Sequence, residues 1–166
     1  MGEGHFEVRT KRLLLCPLVL EDWPAIQRIG GHPSVALMLA SIRTPLPKAA
    51  VQAWLTARTY RGTPRFCAAI VMVQRGVIGV AGIGPNSQHT PCNFAYFIDP
   101  RHWGLGYASE AMGVFLDYFM RKFDLCEVGA DHFDDCAAGG AVLRKLGIKN
   151  LVRGWGNCRQ GLSLRP

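Results

Sequence analysis

The sequence predicts an α+β fold, with one mixed sheet flanked by helices, and three observations lead to this prediction. Short apolar runs at 66–73 and 77–83, separated by turn residues, indicate antiparallel strands. Further along, two amphipathic helical patterns flank another strand pattern, which indicates a βαβ-like unit. The chain has 166 residues, of which 49% are hydrophobic, and this is enough for a core without staples. We therefore expect a single domain over residues 1–166.

The first elements along the chain are one extended segment and two helices. Residues 6–15 are rich in Leu and Val, which favours an extended strand. A helix is predicted over 21–29, because acids begin it, Pro24 lies in its first turn and Gly30-Gly31 follows it. A second helix is predicted over 47–60, with one face formed by Ala50, Trp54 and Ala57.

Three strands of one sheet are predicted next. The runs at 66–73 and 77–83 are joined by turn residues 74–76, so they are expected to form an antiparallel hairpin. Residues 93–98 (NFAYFI) are expected to add the third strand of the same sheet.

The remainder of the chain predicts a long helix, a strand, a second helix and a closing hairpin. In the helix over 104–121, small or apolar residues recur at helical spacing: Ala108, Ala111, Met112, Phe115 and Phe119. Residues 125–132 alternate as a strand does. The helix over 136–146 ends before Gly147, and four residues are expected to face inward: Ala138, Ala141, Val142 and Leu146. The last pattern, at 151–164, indicates a hairpin.

The charge balance narrows the classes of partner. Lys and Arg number 19 against 12 Asp and Glu, so the formal net charge is +7. A basic surface attracts polyanions, such as nucleic acid, an acidic protein or a phosphorylated cofactor. It disfavours a polycationic substrate such as a polyamine. The tryptophans are spread along the chain and no nucleic-acid motif accompanies the charge, so a phosphorylated cofactor is the simpler explanation.

The cysteines do not form the pattern of a disulfide framework or a metal site. There are six of them, with no C-x-x-C pair and no clustering with the five histidines. The N-terminal residues carry acids and bases where a signal peptide has an apolar region, and no apolar run approaches the ~20 residues of a membrane span. We expect reduced thiols, a cytoplasmic protein, no metal and no membrane partner.

The chemistry is concentrated in residues 98–110, IDPRHWGLGYASE. A strand ends, and Gly104 and Gly106 open the long helix. Glycines at such a turn let backbone N–H groups approach an anion, the helix N-terminus adds about half a positive charge, and Arg101 adds a full one. The turn is therefore predicted to bind a pyrophosphate, with a plain tight turn as the alternative. A dinucleotide-binding fingerprint fits less well, because Pro100, Arg101, His102 and Trp103 intervene before Gly104 and the preceding strands form hairpins.

These residues resemble a known family. Arg101-x-x-Gly104-x-Gly106 matches the [RQ]-x-x-G-x-[GA] acyl-CoA signature of the GNAT acetyltransferase superfamily. The sequence HWGLGYASEA resembles the branch that acetylates the N-terminal amines of ribosomal proteins. Three further blocks are similar to that branch, in the same order: RLLLCPLVLEDWPAI, VIGVAGI and VLRKLGI.

The resemblance implies a GNAT fold, in which a mixed, mostly antiparallel sheet is splayed around acetyl-CoA. It implies direct acetyl transfer to an amine in a ternary complex. Backbone N–H groups at Leu105, Gly106, Tyr107 and Ala108 would hold the pyrophosphate. Ile98 would pair with the pantetheine arm, and an N–H near Phe97 or Ile98 would polarise the thioester carbonyl. The predicted cofactor contacts also include Arg101, His102, Trp103, Gly104 and Cys136.

Several positions depart from the branch's pattern near the expected chemistry. Asn93 stands where the branch has a Glu, so a candidate general base becomes a neutral amide. Cys136 replaces an Asn that would contact the cofactor arm, and Gly139 replaces a Ser that would protonate the departing thiolate. Leu143 stands where many other members have a Tyr.

The catalytic candidates are therefore His132, Cys136 and Asn93. His132, at the end of a predicted strand, would accept the amine proton, although a loop-side histidine without a role is the alternative. Cys136 would supply the lost proton donor, with core filler as the alternative. Glu110 is expected to complement the helix dipole or pack at the sheet edge.

The expected function is transfer of acetyl from acetyl-CoA to a primary amine, on a protein N-terminus or a small molecule. One alternative is a non-catalytic acyl-CoA-binding domain, motivated by the departures at Asn93, Cys136 and Gly139. A further alternative is an RNA or ribosome-surface binder, motivated only by the charge. The sequence identifies neither the acceptor nor the oligomeric state, for which a monomer and a homodimer both stay open.

Overall fold

The computed structural model describes residues 5–37, 39, 45–72, 74–85, 92–133, 137–148, 150–153 and 159–164. The strands are β1 (Val8–Arg9), β2 (Leu13–Pro17), β3 (Phe66–Met72), β4 (Gly76–Pro85), β5 (Cys92–Ile98), β6 (Val128–Phe133), β7 (Asn150–Arg153) and β8 (Arg159–Leu164). The helices are α1 (Trp23–Gly30), α2 (Pro33–Ala36), α3 (Lys48–Arg58), α4 (Tyr107–Lys122) and α5 (Ala137–Lys145). Short 3₁₀ turns precede α1 at Leu20–Asp22 and follow β5 at Pro100–His102.

The described strands form one mixed sheet in the order β1-β2-β3-β4-β5-β6-β8-β7. Every neighbouring pair is antiparallel except β5 and β6, which are parallel. The predicted α+β class, the β3–β4–β5 meander and the closing β7–β8 hairpin are therefore confirmed. The extended segment predicted over 6–15 is instead a small hairpin, because the chain turns back between β1 and β2, where the Leu13 N–H donates to Thr10 Oγ1.

The sheet opens between β5 and β6, as the resemblance implies. The two strands pair only at Asn93↔Gly129 and Phe94↔Ala130. β5 nevertheless continues to Ile98, held on its other side by β4 through the pair Gly79↔Ile98. Since β6 diverges while β5 stays with β4, a gap lies beside the second half of β5.

Helices cover both faces of the sheet, because β3 and β4 carry apolar side chains on both of their faces. Phe66, Ala68 and Ile70 of β3 belong to the core under α4, together with Phe115 and Phe119 of that helix. The alternate residues Cys67 and Ala69 belong to a second core, under α1 and α3. This two-residue alternation explains why these central strands consist of near-continuous apolar runs.

The face predicted for one helix and the inward face predicted for another are not the faces that these helices bury. α3 buries Val51 and Leu55 in place of the predicted face, of which Ala50 and Ala57 are exposed and Trp54 is half-buried. The larger branched side chains, four residues apart, remove more apolar surface from water than the alanines do.

In α5 the buried residues are Gly140 and Leu143, whereas Ala138 is exposed and Ala141, Val142 and Leu146 are only half-buried. The helix turns its leucine into the core, and a glycine lies one turn before it on the same side. Leu143 thus has a core-filling role, at the position where many members of the resembling family carry a Tyr.

β4 approaches β5 most closely at Gly79. A Cβ atom built on Gly79 would lie 2.4 Å from the Phe97 carbonyl oxygen and 2.7 Å from Ile98 Cδ1. Only glycine fits here, because the backbone oxygen cannot move without disturbing the β4–β5 ladder. The position of β5 beside the gap therefore depends on Gly79.

We predict that Gly79→Ala lowers the free energy of unfolding by about 1–3 kcal/mol, the usual cost of overpacking. Urea denaturation measures the change. The matched control is Gly84→Ala on the same strand, where an added Cβ meets nothing within 4 Å and the change should stay within about 0.5 kcal/mol. Equal stabilities for the two variants would contradict the close approach.

Candidate functional site

A cavity of about 650 Å³ runs through the gap beside β5. Its lining comes from six places: β5, the turn after it, the start of α4, β6, α5, and α2 with Leu39 beyond it. The described lining residues are Ser34, Val35, Leu39, Phe94, Ala95, Tyr96, Phe97, Ile98, His102, Trp103, Gly104, Gly106, Tyr107, Ala108, Ser109, Ala130, Ala137, Ala138, Gly139, Ala141, Val142, Leu143 and Lys145. Because α4 and α2 lie on opposite faces of the sheet, the cavity connects the two faces.

The turn before α4 and the first residues of that helix, together 104–109, form one end of this cavity. Gly104 and Gly106 both have left-handed backbones, with φ of 74° and 79°, and Gly106 is the N-cap of α4. The N–H groups of the first helical turn have no acceptor inside the helix. Those of Tyr107, Ala108 and Ser109 therefore lie at a cavity wall with the positive end of the helix dipole, which is an anion site on physical grounds.

Asp99 ties the beginning of this turn to α1. Its side chain is buried and accepts hydrogen bonds from the Arg28 guanidinium, from the Arg101 backbone N–H at 3.1 Å and from Arg101 Nη2 at 2.6 Å. These bonds, chiefly the one from the Arg101 side chain, hold the pKa of Asp99 well below its usual range. The Arg101 guanidinium, predicted as the charge that meets the phosphate, is engaged by this carboxylate and is not among the lining residues.

Glu110 ties the other end of the turn to the β1–β2 hairpin. Its carboxylate accepts hydrogen bonds from the Thr10 hydroxyl and from Arg12 Nε, the latter at 2.6 Å. Arg12 Nη1 donates to the Leu105 carbonyl oxygen at 3.1 Å, and the Arg12 guanidinium lies 4.3 Å from the centre of the Tyr107 ring. The expectation that Glu110 packs at the sheet edge agrees with these contacts. Its pKa is lowered, because the hydrogen bonds from Thr10 and Arg12 outweigh the opposing effect of burial.

The backbone of Ile98 faces the gap, whereas that of Phe97 faces β4. The Asp99 N–H donates to the Ile78 oxygen on β4 at 2.8 Å, and the direction of backbone groups alternates along a strand. The N–H and C=O of Ile98 therefore point away from β4. The C=O is engaged, since it accepts a 2.7 Å hydrogen bond from the indole N–H of Trp103. Of the two predicted candidates for polarising a thioester carbonyl, the Ile98 N–H is the one directed into the gap.

His102 is a buried histidine in the cavity wall. It is 7% exposed, and neither ring nitrogen has a hydrogen-bond partner in the part of the chain that the structure describes. Burial lowers its pKa, and Arg101, Arg75 and Arg28 reinforce this effect against the attraction of Asp99. These effects together favour the neutral imidazole. Two unpartnered buried nitrogens beside the turn leave capacity for further hydrogen bonds here.

The remaining predicted residues are less closely defined by the structure. Asn93 lies on β5 opposite Gly129, one residue before the lining begins. His132 lies on β6 with its backbone opposite Gln160. Cys136 lies outside the described residues.

Sequence reasoning missed several contributors to the cavity, among them Ser34 and Val35 of α2 and Lys145 at the end of α5. A four-residue helix carries no periodicity, so α2 leaves no signal in the sequence. Lys145 lies within the VLRKLGI block, which gave a resemblance but no role.

Further findings concern metal ligands, membrane-spanning helices and the cysteines. The described residues contain no group of three or more His, Cys, Asp or Glu placed to hold a metal ion. None of the described helices has the length and apolar character needed to cross a membrane. Cys16, Cys67 and Cys126 are free thiols, and burial raises the pKa of Cys67 to about 12, so that thiol stays protonated in the core.

Comparison with known proteins assigns this chain to a family. A family model described as an acetyltransferase (GNAT) domain matches residues 12–149. The uncharacterized N-acetyltransferase YoaA of Bacillus subtilis (strain 168) is 32% identical over 74 residues, which are 44% of this chain and 42% of the relative. The match thus spans less than half of that relative's length.

Solved structures share the whole architecture. A GNAT-family acetyltransferase from Bacillus anthracis has a TM-score of 0.79 at 16% identity, covering 96% of this chain and 98% of its own. RimL, an alpha-N-protein acetyltransferase of a ribosomal protein, solved in complex with coenzyme A, has a TM-score of 0.76 at 12% identity, covering 96% and 98%. At these identities the likeness shows the fold alone.

We predict that Asp99→Asn lowers the free energy of unfolding by about 1–3 kcal/mol at pH 7, as expected for lost hydrogen bonds to a charged group. A carboxyl whose pKa is depressed by folding stabilises above its unfolded pKa, near 3.9, and loses that contribution as pH falls. The difference between the two proteins should therefore be full above about pH 5 and shrink below about pH 4. Urea denaturation across pH measures it.

Asp117→Asn is the control for this prediction, because the Asp117–Arg121 pair is exposed on both sides. Its effect should stay below about 1 kcal/mol at every pH. A pH-independent loss in Asp99→Asn would show that the substitution acts through packing and not through charge.

Proposed function

The chain belongs to the GNAT acetyltransferase family, and we propose that it is an acetyl-CoA-dependent N-acetyltransferase acting on a primary amine. The observation that carries the proposal is the continuity of the glycine turn at 104–109 with the gap beside β5. A pyrophosphate at the turn and an extended arm along the strand would fill one connected space. The acceptor would approach from the α2 side, and a protein N-terminus or a small molecule are the two acceptor classes.

The residues present fit acetyl-CoA. The N–H groups of Gly106, Tyr107 and Ala108 would hold the pyrophosphate, and the unpartnered His102 nitrogens offer further hydrogen bonds nearby. Bound acetyl-CoA would supply an activated acetyl thioester. The Ile98 N–H would then donate to the thioester oxygen, where negative charge grows during attack.

The proton steps rest on the predicted candidates. An attacking amine is mostly ammonium at pH 7, so a base or a water chain must take its proton. We propose His132 as that base, with Asn93 positioning the amine or a water. Cys136 would return a proton to the departing thiolate. We also propose that the protein is a single domain over 1–166 acting in the cytoplasm, which the free thiols support.

One observation favours a second candidate function, a non-catalytic acyl-CoA-binding domain. The titratable side chains among the described lining residues are Tyr96, His102, Tyr107 and Lys145, with no carboxylate among them. A domain that binds the cofactor without turnover would show this combination of an intact phosphate turn and sparse acid–base groups.

Calorimetric titration with acetyl-CoA at two salt concentrations tests the proposal, with NADH as the control ligand. Saturable one-to-one binding of acetyl-CoA, without binding of NADH, supports both candidate functions, the acetyltransferase and the non-catalytic binding domain. Thiol release on a panel of N-terminal peptides and small amines then separates the enzyme from the binding domain. Absence of binding would overturn both, and tight binding without turnover on the panel would favour the second.

We predict that Gly104→Glu weakens acetyl-CoA binding by about 100-fold or more, because it places a carboxylate at the phosphate turn. Gly76→Glu is a matched control at the first residue of β4. Both glycines have left-handed φ, 74° and 71°, and an added Cβ meets nothing within 4 Å at either. The backbone strain is thus equal, and only Gly104 lines the cavity. Equal binding by the two variants would remove the turn as the phosphate site.

A further inference from the structure

We propose that Arg12 is the positioning residue of the phosphate turn, holding Leu105, Tyr107 and Glu110 so that the first N–H groups of α4 converge on an anion. The proposal rests on the proposed function for the identity of that anion, the pyrophosphate of acetyl-CoA. Arg12 itself lies on the hairpin between β1 and β2, far from the turn in sequence.

The guanidinium contacts both sides of the N-cap of α4. Nη1 donates to the Leu105 carbonyl oxygen at 3.1 Å, just before the left-handed Gly106. Nε donates to Glu110 Oε2 at 2.6 Å, one turn into the helix. A single planar group therefore fixes the distance between the loop and the first helical turn.

Two further contacts fix the orientation of the guanidinium and of the Glu110 carboxylate. The guanidinium carbon lies 4.3 Å from the centre of the Tyr107 ring, at the first residue of α4. The Arg12 backbone N–H donates to Glu110 Oε1 at 3.2 Å, so the second carboxylate oxygen is held as well. Lysine would keep the charge, but it lacks the fork that reaches Leu105 and Glu110 together.

The positive charge of Arg12 affects anion binding as well, in addition to its effect on the position of the turn. Glu110 lies near the proposed anion site, and its carboxylate is ionised at neutral pH because its pKa is lowered. Arg12 neutralises it, whereas the Arg101 guanidinium is engaged by Asp99. Removing Arg12 would both loosen the turn and leave a carboxylate near the pyrophosphate.

The test compares Arg12→Met, Arg12→Lys, the double variant Arg12→Met/Glu110→Gln, and Arg9→Met. Arg9 is the matched control, since it lies on the same hairpin and pairs with an exposed acid, Glu7. We expect Arg12→Met to weaken coenzyme A binding about tenfold or more and to raise KM for acetyl-CoA with kcat within about twofold. Arg12→Lys should resemble it, the double variant should recover part of the loss, and Arg9→Met should match the wild type.

A measurement without ligand separates this inference from the proposed function. The Glu110 amide donates to the Gly106 oxygen at 3.0 Å, so its hydrogen exchange reports on the start of α4. Exchange at Glu110 should quicken in Arg12→Met while amides of β4 keep their rates.

Unchanged exchange would overturn the inference whether or not coenzyme A binds. Quickened exchange with unchanged coenzyme A affinity would overturn the link to binding. Full rescue by Arg12→Lys would overturn positioning by the guanidinium fork, because charge alone would then suffice. Failure of the wild type to bind coenzyme A would overturn the proposed function and this anion assignment, and exchange alone would then decide whether Arg12 holds the turn.

Discussion

The site depends most on the contacts of the buried Asp99 carboxylate with two arginines. This carboxylate lies where β5 ends and the phosphate turn begins, and it is bound by Arg28 from α1 and Arg101 from the turn itself. A buried, ionised carboxylate is unfavourable without partners, so the arginines and the chain segments that carry them must remain in place. Helix α1 is thereby connected to the turn directly, and not only through the apolar core beneath it.

The gap beside β5 imposes a complementary constraint. β5 must stay with β4 while β6 diverges, and Gly79 permits this by letting the two backbones approach closely. The groups proposed to bind the cofactor are then mainly backbone N–H groups, at Ile98 and at the start of α4. Recognition built on backbone groups constrains few side chains. This explains how Asn93 and Gly139 can depart from the family's pattern around an intact cavity.

Local patterns predicted most of the fold, and contacts between distant parts of the chain account for what they missed. The apolar runs of β3, β4 and β5 and the long helix after the turn followed from periodicity alone. The inward faces of α3 and α5 did not, because both helices carry small apolar residues on several sides and only packing decides between them. The contact of Arg12 with Glu110 links residues 98 apart in sequence, so no local pattern could have signalled it.

The groups proposed to bind the cofactor and the groups proposed to carry protons consequently lie in different parts of this chain. The proposed anion site depends on glycine conformations, a helix N-terminus and the arginine contacts of two carboxylates, Asp99 and Glu110, all within the first two thirds of the chain. The proposed proton carriers, His132 and Cys136, come later in the sequence, between the start of β6 and the start of α5. The proposed anion site can therefore be tested through the glycine turn and the arginine contacts, separately from the identity of the proton carriers.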